Sequence, residues 1–360
     1  MPQTKFLPEK ADPTLLDSTV TTYSKPAIGI LLINLGTPDE PTAPSIRRYL
    51  REFLSDPRVI EMPQFVWQII LNAAVLPLRP KKLVPKYELV WLEQGAPLLV
   101  YSQRQAEGLE ASLRQQYAEP IHVELAMRYG NPSIPNAIRA LREKGCEKIL
   151  VAQLYPQYAA STTATAVDAV NRYVAKLRNQ PELRFIKNYY DHPAYIQPLA
   201  NAVRRYWHEH GKPERLLLSY HGLPRRCAEQ GDPYYRECML TTEALRQSLS
   251  DLNVPVYASF QSRFGAEKWL EPYTEPLLRQ WAKEGVKTVH TMCPGFLADC
   301  LETLEEIQVE CRDAFLEDGG TQFAYIPCLN DDPQWIEGLS QITQSHLSGW
   351  ASAKTTNSAG

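Results

Sequence analysis

Short, nearly continuous apolar runs alternate with amphipathic stretches along most of the chain. AIGILLINLG opens the series at Ala27 and ends in the turn signal Gly36-Thr37-Pro38-Asp39. It leads into TAPSIRRYLREFLSD, whose apolar residues recur at the spacing of one helical face. IHVELAMRYG, KILVAQLYP, RFIKNYY, RLLLSYHG, VPVYASFQSRFG, VKTVHTMCPGF and FAYIPCLND follow in order. Runs this apolar predict strands buried on both faces of a parallel sheet; a half-exposed strand would alternate apolar and polar residues. Between them, PSIPNAIRALREKG and EPYTEPLLRQWAKEG read as helices that stop at Gly145 and Gly285. The pattern predicts an α/β protein.

The strands fall into two groups on either side of AVDAVNRYVAKLRNQP, which predicts two doubly wound domains of similar design with a cleft between them. The expected divisions are a poorly ordered tail over 1–26, a first domain over 27–180 and a second over 181–332. A helix over 333–350 is expected to pack back on the first domain, ahead of a second poorly ordered tail over 351–360. In doubly wound sheets, ligands bind beyond the carboxyl ends of the strands. That rule points to Leu35, Arg128, Tyr129, Tyr155, His221, Arg263 and Phe296.

Composition narrows the function by exclusion. A net charge of -3 leaves no cationic excess for general nucleic-acid binding. The seven cysteines include no C-x-x-C pair, so neither a disulfide framework nor a zinc ribbon is indicated, and reduced thiols in the cytoplasm fit best. Residues 1–26 lack the features of a signal peptide, and Glu9, Asp12 and Asp17 argue against a mitochondrial transit peptide. The most apolar window, FVWQIILNAAVLPL over 65–78, is shorter than the ~20 residues a spanning helix needs. It suits an interface or a pocket wall. No G-x-G-x-x-G, P-loop or G-x-S-x-G motif follows a strand, so dinucleotide, nucleotide-triphosphate and serine-hydrolase chemistries lose their main support.

Two places carry candidate chemistry. His221, in SYHGLP, ends an apolar run and is held by Gly222 and Pro224 on a turn facing the cleft. Its imidazole can accept a proton or bind a divalent metal, or simply bond a neighbouring carbonyl. The second is CPGFLADCLETLEEI, where a helix is expected to start at Asp299. At ~100° per residue, Asp299, Glu302 and Glu306 share one face while Cys300 points away. Asp299-x-x-Glu302 also reads as a capping box, the favoured reading for Asp299, and Glu306 also reads as a solvated helix residue. With no second pair beside Cys293 and Cys300, any metal here would meet oxygen ligands rather than a closed thiolate site. Tyr129, Trp269, Phe296 and the 65–78 segment offer walls for a large flat ligand, though for each alone core is the favoured reading. The basic stretch LRPKKLVPK reads as a solvated loop, or as a partner for acidic ligand groups or anionic lipid. These residues leave the reaction open.

Taken together and in order, GILLINLGTP, REFLSDPRVIEMP, MRYGNPS, QLYPQYAASTT, LLLSYHGLPRR, QSRFGAEKWLEPYT and CPGFLADCLETLEEI resemble the ferrochelatases over about 29–342. These enzymes insert Fe(II) into protoporphyrin IX with release of two protons, the terminal step of haem synthesis. The resemblance implies two Rossmann-like, chelatase-like domains with the porphyrin between them. It implies that His221 and Glu302 are catalytic and meet the metal, with Glu306 continuing the carboxylate row. Arg128 and Tyr129 match a pair beside the metal position, Trp269 and Phe296 match aromatic positions near the macrocycle, and Tyr155 and Leu35 match supporting positions. The 65–78 segment matches an apolar lip that can rest on a membrane surface.

Two departures qualify the match. Cys300 stands where many relatives carry histidine. Ala160 stands where one group carries a cluster cysteine, and no cysteine follows Cys328. The expectation is therefore Fe(II) as substrate, no [2Fe-2S] cluster and no tightly bound cofactor, in a cytoplasmic monomer with peripheral membrane contact through the lip. Leu35, where relatives acting on coproporphyrin often carry tyrosine, favours protoporphyrin. The competing readings are a chelatase for coproporphyrin or another tetrapyrrole, and a porphyrin carrier without catalysis.

Overall fold

The computed structural model describes residues 6–7, 27–265 and 267–354. The apolar runs form two parallel four-stranded sheets. The first contains β1 (Ala27–Gly36), β2 (Ile121–Tyr129), β3 (Cys146–Gln153) and β4 (Glu182–Phe185) in the order β2-β1-β3-β4. The second contains β5 (Arg215–His221), β6 (Val256–Gln261), β7 (Thr288–Met292) and β8 (Gln322–Ile326) in the order β6-β5-β7-β8. The two orders are the same, so one half repeats the other in topology although the sequences show no repeat. Both expected doubly wound sheets are present.

Between β1 and β2 run α1 (Ala43–Leu54), α2 (Gln64–Ile70), α3 (Leu76–Val90) and α4 (Pro97–Gln116). Helix α5 (Ile134–Glu143) joins β2 to β3, α6 (Thr165–Val174) joins β3 to β4, and α7 (Pro193–His210) carries the chain to the second sheet. There, α8 (Arg225–Glu229) and α9 (Tyr234–Ser248) precede β6, α10 (Thr274–Lys283) precedes β7, α11 (Arg312–Glu317) precedes β8, and α12 (Pro333–Ser345) follows it.

Alternation along β1 explains its unbroken apolar run. Ile28, Ile30 and Leu32 face a cluster with Leu109, Trp207 and Trp335, while Leu31 and Ile33 face another with Ile138, Leu141 and Val170. The first cluster also takes in Leu216 and Leu218 of β5, so the two sheets share one central core.

Three expectations need adjustment. The boundary near 181 falls too early, because β4 pairs with β3 (Val151 beside Phe185) and belongs to the first sheet. Its Leu183 and Phe185 pack on the α5–α6 side, a choice of neighbour that periodicity cannot reveal. Residues 351–354, expected in a loose tail, are pinned to the first domain: the Ala118 amide donates to the Ser352 carbonyl at 3.1 Å and the Lys354 amide to that of Gln116 at 2.8 Å. In the N-terminal tail the Leu7 amide donates to the Lys176 carbonyl at 3.0 Å; the rest of 1–26, and 355–360, lie outside the described residues. Finally, LRPKKLVPK lies within α3 rather than in a loop. Burial of Tyr87 and Val90, and the Lys86 ammonium on Glu305 (3.0 Å) and Glu310 (2.6 Å), override the helix-breaking cost of Pro80 and Pro85.

The 65–78 segment is helical through α2, a π turn at Leu71–Val75 and the start of α3. Trp67, Leu71 and Leu76 are buried, and the Trp67 indole N–H donates to the Leu54 carbonyl at 2.6 Å. The opposite face leaves Phe65 75%, Ile69 68% and Leu78 64% exposed. Among the described residues, no helix is long and apolar enough to cross a membrane.

Candidate active site

His221 ends β5, a central strand of the second sheet, opposite Gln261 at the end of β6. The next residue has to be glycine: a Cβ on Gly222 would lie 2.6 Å from the Gln261 carbonyl oxygen and 3.1 Å from Cε3 of Trp269. The Gly222 amide donates to that same carbonyl at 2.8 Å. The turn sets the imidazole's tautomer as well. His221 Nδ1 sits 2.7 Å from the Gly222 carbonyl oxygen, which can only accept. Nδ1 therefore carries the proton in the neutral ring, and Nε2 keeps its lone pair for a proton or a metal.

Facing it is the carboxylate row. Glu302 and Glu306 lie on a π-helix, Glu302–Cys311, a rare winding that is frequent at functional sites. Glu306 accepts the Ser262 amide at 2.6 Å, the Ser262 hydroxyl at 2.5 Å and Nε2 of Gln261 at 3.3 Å. Ser262 reaches this position with φ +63°, a left-handed conformation that costs a non-glycine residue on the order of 1–3 kcal/mol. Gln261 is locked from both ends: Oε1 accepts the Ser219 hydroxyl at 2.8 Å, and Nε2 also donates to the Glu302 carbonyl at 2.8 Å. Burial pushes the Glu306 carboxyl above its usual range; Ser262 and the His221 charge oppose that rise, and the Glu302 charge adds to it. The field of Glu302 also reaches across to Tyr49 and Tyr87 of the first domain, whose hydroxyls burial already pushes up. His221, Glu302 and Glu306 thus converge at the junction of the two halves.

The expected helix start at Asp299 is corrected, and with it the capping box. Helical winding begins at Leu301, and the Asp299 carboxylate is buried, accepting from Tyr325 (2.6 Å), Asn330 (2.7 Å) and Thr303 (3.0 Å). Thr303 Oγ1 meets the Cys300 amide instead, at 3.0 Å. A carboxylate with three side-chain donors in the core gains more there than at a helix end. Cys300 is buried, and both burial and the neighbouring Glu302 charge push its thiol well above the usual range, so it stays protonated.

Arg128 and Tyr129 end β2 within a polar network absent from the sequence reading. The Arg128 guanidinium pairs with Asp56 and donates through Nε to Thr165 Oγ1 at 2.7 Å. Asp56 also accepts the Tyr129 hydroxyl at 3.0 Å and that of Thr165 at 2.5 Å. Tyr129 is fully buried, so it is a support and not the expected wall. Trp269 packs over Gly222, beneath the histidine turn. Leu35 and Phe296 share an apolar patch with Leu98, Ala298 and Cys300 that joins the two halves. Tyr155 is also buried, and its hydroxyl has no hydrogen-bond partner among the described residues. Arg263, picked by the strand-end rule, instead stacks on Tyr273 at 4.9 Å. The rule was one or two residues off: Gln261 and Ser262 are the side chains from that strand end that touch the site.

Two parallel sheets of like order are an architecture shared with solved metal chelatases. The sirohydrochlorin chelatase SirB from Bacillus subtilis subspecies spizizenii, in complex with cobalt, has the same fold with a TM-score of 0.51 at 11% identity, over 89% of this chain and 95% of that one. SirB from Bacillus subtilis with Fe3+ gives 0.50 at 15% identity, over 71% of this chain and 92% of that one. Within that class, the ferrochelatase family model matches residues 27–347, and the chain belongs to the ferrochelatase family. It is 56% identical to a ferrochelatase of Bordetella pertussis over 96% of this chain and 95% of that one. It is 52% identical to one from Azoarcus sp. over 90% of this chain and 89% of that one, and 46% identical to one from Methylobacillus flagellatus over 94% and 99%. It is accordingly an enzyme, a chelatase that places iron in a porphyrin for haem synthesis.

Proposed function

We propose that the porphyrin is protoporphyrin IX, and that His221 is the base that takes up pyrrole protons while Glu302 and Glu306 carry protons and guide Fe(II). The observation behind this reading is the Nδ1–H bond from His221 to the Gly222 carbonyl, which leaves Nε2 as a free base beside the carboxylate row. Metallation takes two protons from pyrrole nitrogens and lets Fe(II) replace its water with the four ring nitrogens. Because a flat ring keeps its lone pairs in its own plane, the cleft favours a saddled ring that exposes them. His221 Nε2 accepts a proton from that exposed face. Glu306, with its carboxyl held above the usual range by burial, takes up a proton more readily than an exposed glutamate does. Fe(II) is the substrate, and an imidazole with a few carboxylates suits an ion that must be released into the ring rather than retained. Arg128 and Tyr129 support this site through Asp56.

The exposed lip residues Phe65, Ile69 and Leu78 fit a peripheral membrane contact by an otherwise cytoplasmic monomer. The apolar patch around Leu35 and Phe296 favours the less polar porphyrin. Protoporphyrin IX should accordingly be metallated with a kcat/KM about tenfold or more above that for coproporphyrin. Parallel anaerobic assays with the two porphyrins check this; equal or faster turnover of coproporphyrin rejects the substrate assignment.

A further inference from the structure

Away from His221, an open cavity of ≈ 690 Å³ lies between α1, the 55–57 turn and α6. Arg47, Arg48, Arg51, Arg128 and Arg172 line it, against only two carboxylates. Both carboxylates are already engaged. Asp56 accepts from Arg128, Tyr129 and Thr165, and Glu52 accepts the Gly130 amide at 2.9 Å. Arg48 reaches Asp39 at 3.4 Å, an exposed contact of little strength. Arg47, Arg51 and Arg172 have no hydrogen-bond or ion-pair partner among the described residues. Guanidinium groups gathered around one hollow repel each other, and a bound anion relieves that repulsion. Their planar forks match phosphate and carboxylate oxygens two at a time.

We propose that this cavity is a binding site for a small, multiply charged oxyanion of the phosphate or polycarboxylate type. Its volume is that of a small-molecule site, and its charge excludes free Fe(II) as the occupant. An anion seated there would lie beside the Arg128–Asp56 pair, to which Tyr129 and Thr165 also bond, so occupancy would be felt next to the candidate active site.

The test is calorimetric titration of the full chain at low salt with pyrophosphate and, separately, with citrate. The wild-type protein and the Arg51→Ala/Arg172→Ala double variant are compared, with Arg47→Ala as an independent single variant. All three side chains are exposed, so the variants should fold, and an unchanged melting temperature without ligand confirms it. Binding is expected for at least one anion, weakening as salt rises, with the dissociation constant raised about tenfold or more in the double variant. The stronger of the two titrants identifies phosphate or carboxylate as the chemistry recognised. The proposal is overturned if neither anion binds, or if the double variant binds as the wild type does. It is also overturned if phosphatidylglycerol vesicles bind through these arginines while soluble anions do not, or if saturating protoporphyrin IX displaces the anion, which would put it in the cleft.

Discussion

Replacing His221 with alanine is expected to cut iron insertion by roughly 10²–10⁴-fold while porphyrin affinity stays nearly unchanged. The size follows from the proposed role, in which the side chain supplies the base, its Nε2 left free by the Nδ1–H bond to the Gly222 carbonyl. The affinity should survive because the contacts that shape the cleft lie elsewhere. The turn keeps its Gly222–Gln261 backbone bond, and the Leu35–Phe296 patch is built from Leu98, Ala298 and Cys300. His221→Gln should be as inactive as the alanine variant, since an amide fills the space without accepting a proton. Fluorescence quenching measures porphyrin binding, and single-turnover haem formation measures the chemistry. A variant that binds weakly but turns over normally at saturation would make the histidine a binding group and remove it from the proton transfer.

The second large effect concerns stability. Asp56→Ala should destabilise the fold by about 3–5 kcal/mol at neutral pH, because Arg128 is left buried without its counter-charge. The hydroxyls of Tyr129 and Thr165 lose their shared acceptor at the same time. The pH dependence has a definite sign. Burial acts to raise the Asp56 pKa, but the hydroxyl of Thr165, the Arg58 amide, the Tyr129 hydroxyl and the Arg128 charge together hold it below the usual value. A depressed carboxylate pKa gives stability that is complete above the unfolded-state value, about 4, and is lost as the pH falls through the folded-state value. The gap between wild type and variant should therefore be widest near neutrality and close on acidification below about pH 4. Thermal melts across that range check it. A gap under about 1 kcal/mol at pH 7, or one that does not change with pH, would mean the network does not hold Arg128 as described.

The same network shows what the sequence could and could not reveal. Strands were readable because burial on both faces leaves a direct mark, as in Ile28 to Ile33, where every side chain is enclosed. His221 and Glu302 were legible as candidates because one ends a strand and the other stands in a row of carboxylates. Asp56, Gln261 and Ser262 were not. Each acts through a partner far along the chain: Asp56 through Arg128, and Gln261 and Ser262 through Glu306. No local periodicity records such pairings. The capping box at Asp299 failed for a related reason, since Tyr325 of the neighbouring strand and Asn330 beyond it outcompete the helix end. Likewise, β4 was assigned to the wrong half because strand character does not say which strand is the neighbour. The π winding at 302–311 left no signal in a helical repeat of 3.6, yet the Glu302 backbone carbonyl and the Glu306 carboxylate both accept from the same Gln261 amide.

The central claim is that this cleft performs metallation and does more than hold a porphyrin. Its most direct test is anaerobic incubation of the purified protein with protoporphyrin IX and Fe(II), following loss of porphyrin fluorescence and growth of the haem absorbance band. The account predicts catalytic haem formation, many turnovers per protein molecule. Tight porphyrin binding with no haem formed, under conditions where a related ferrochelatase turns over, would contradict it and make the protein a carrier.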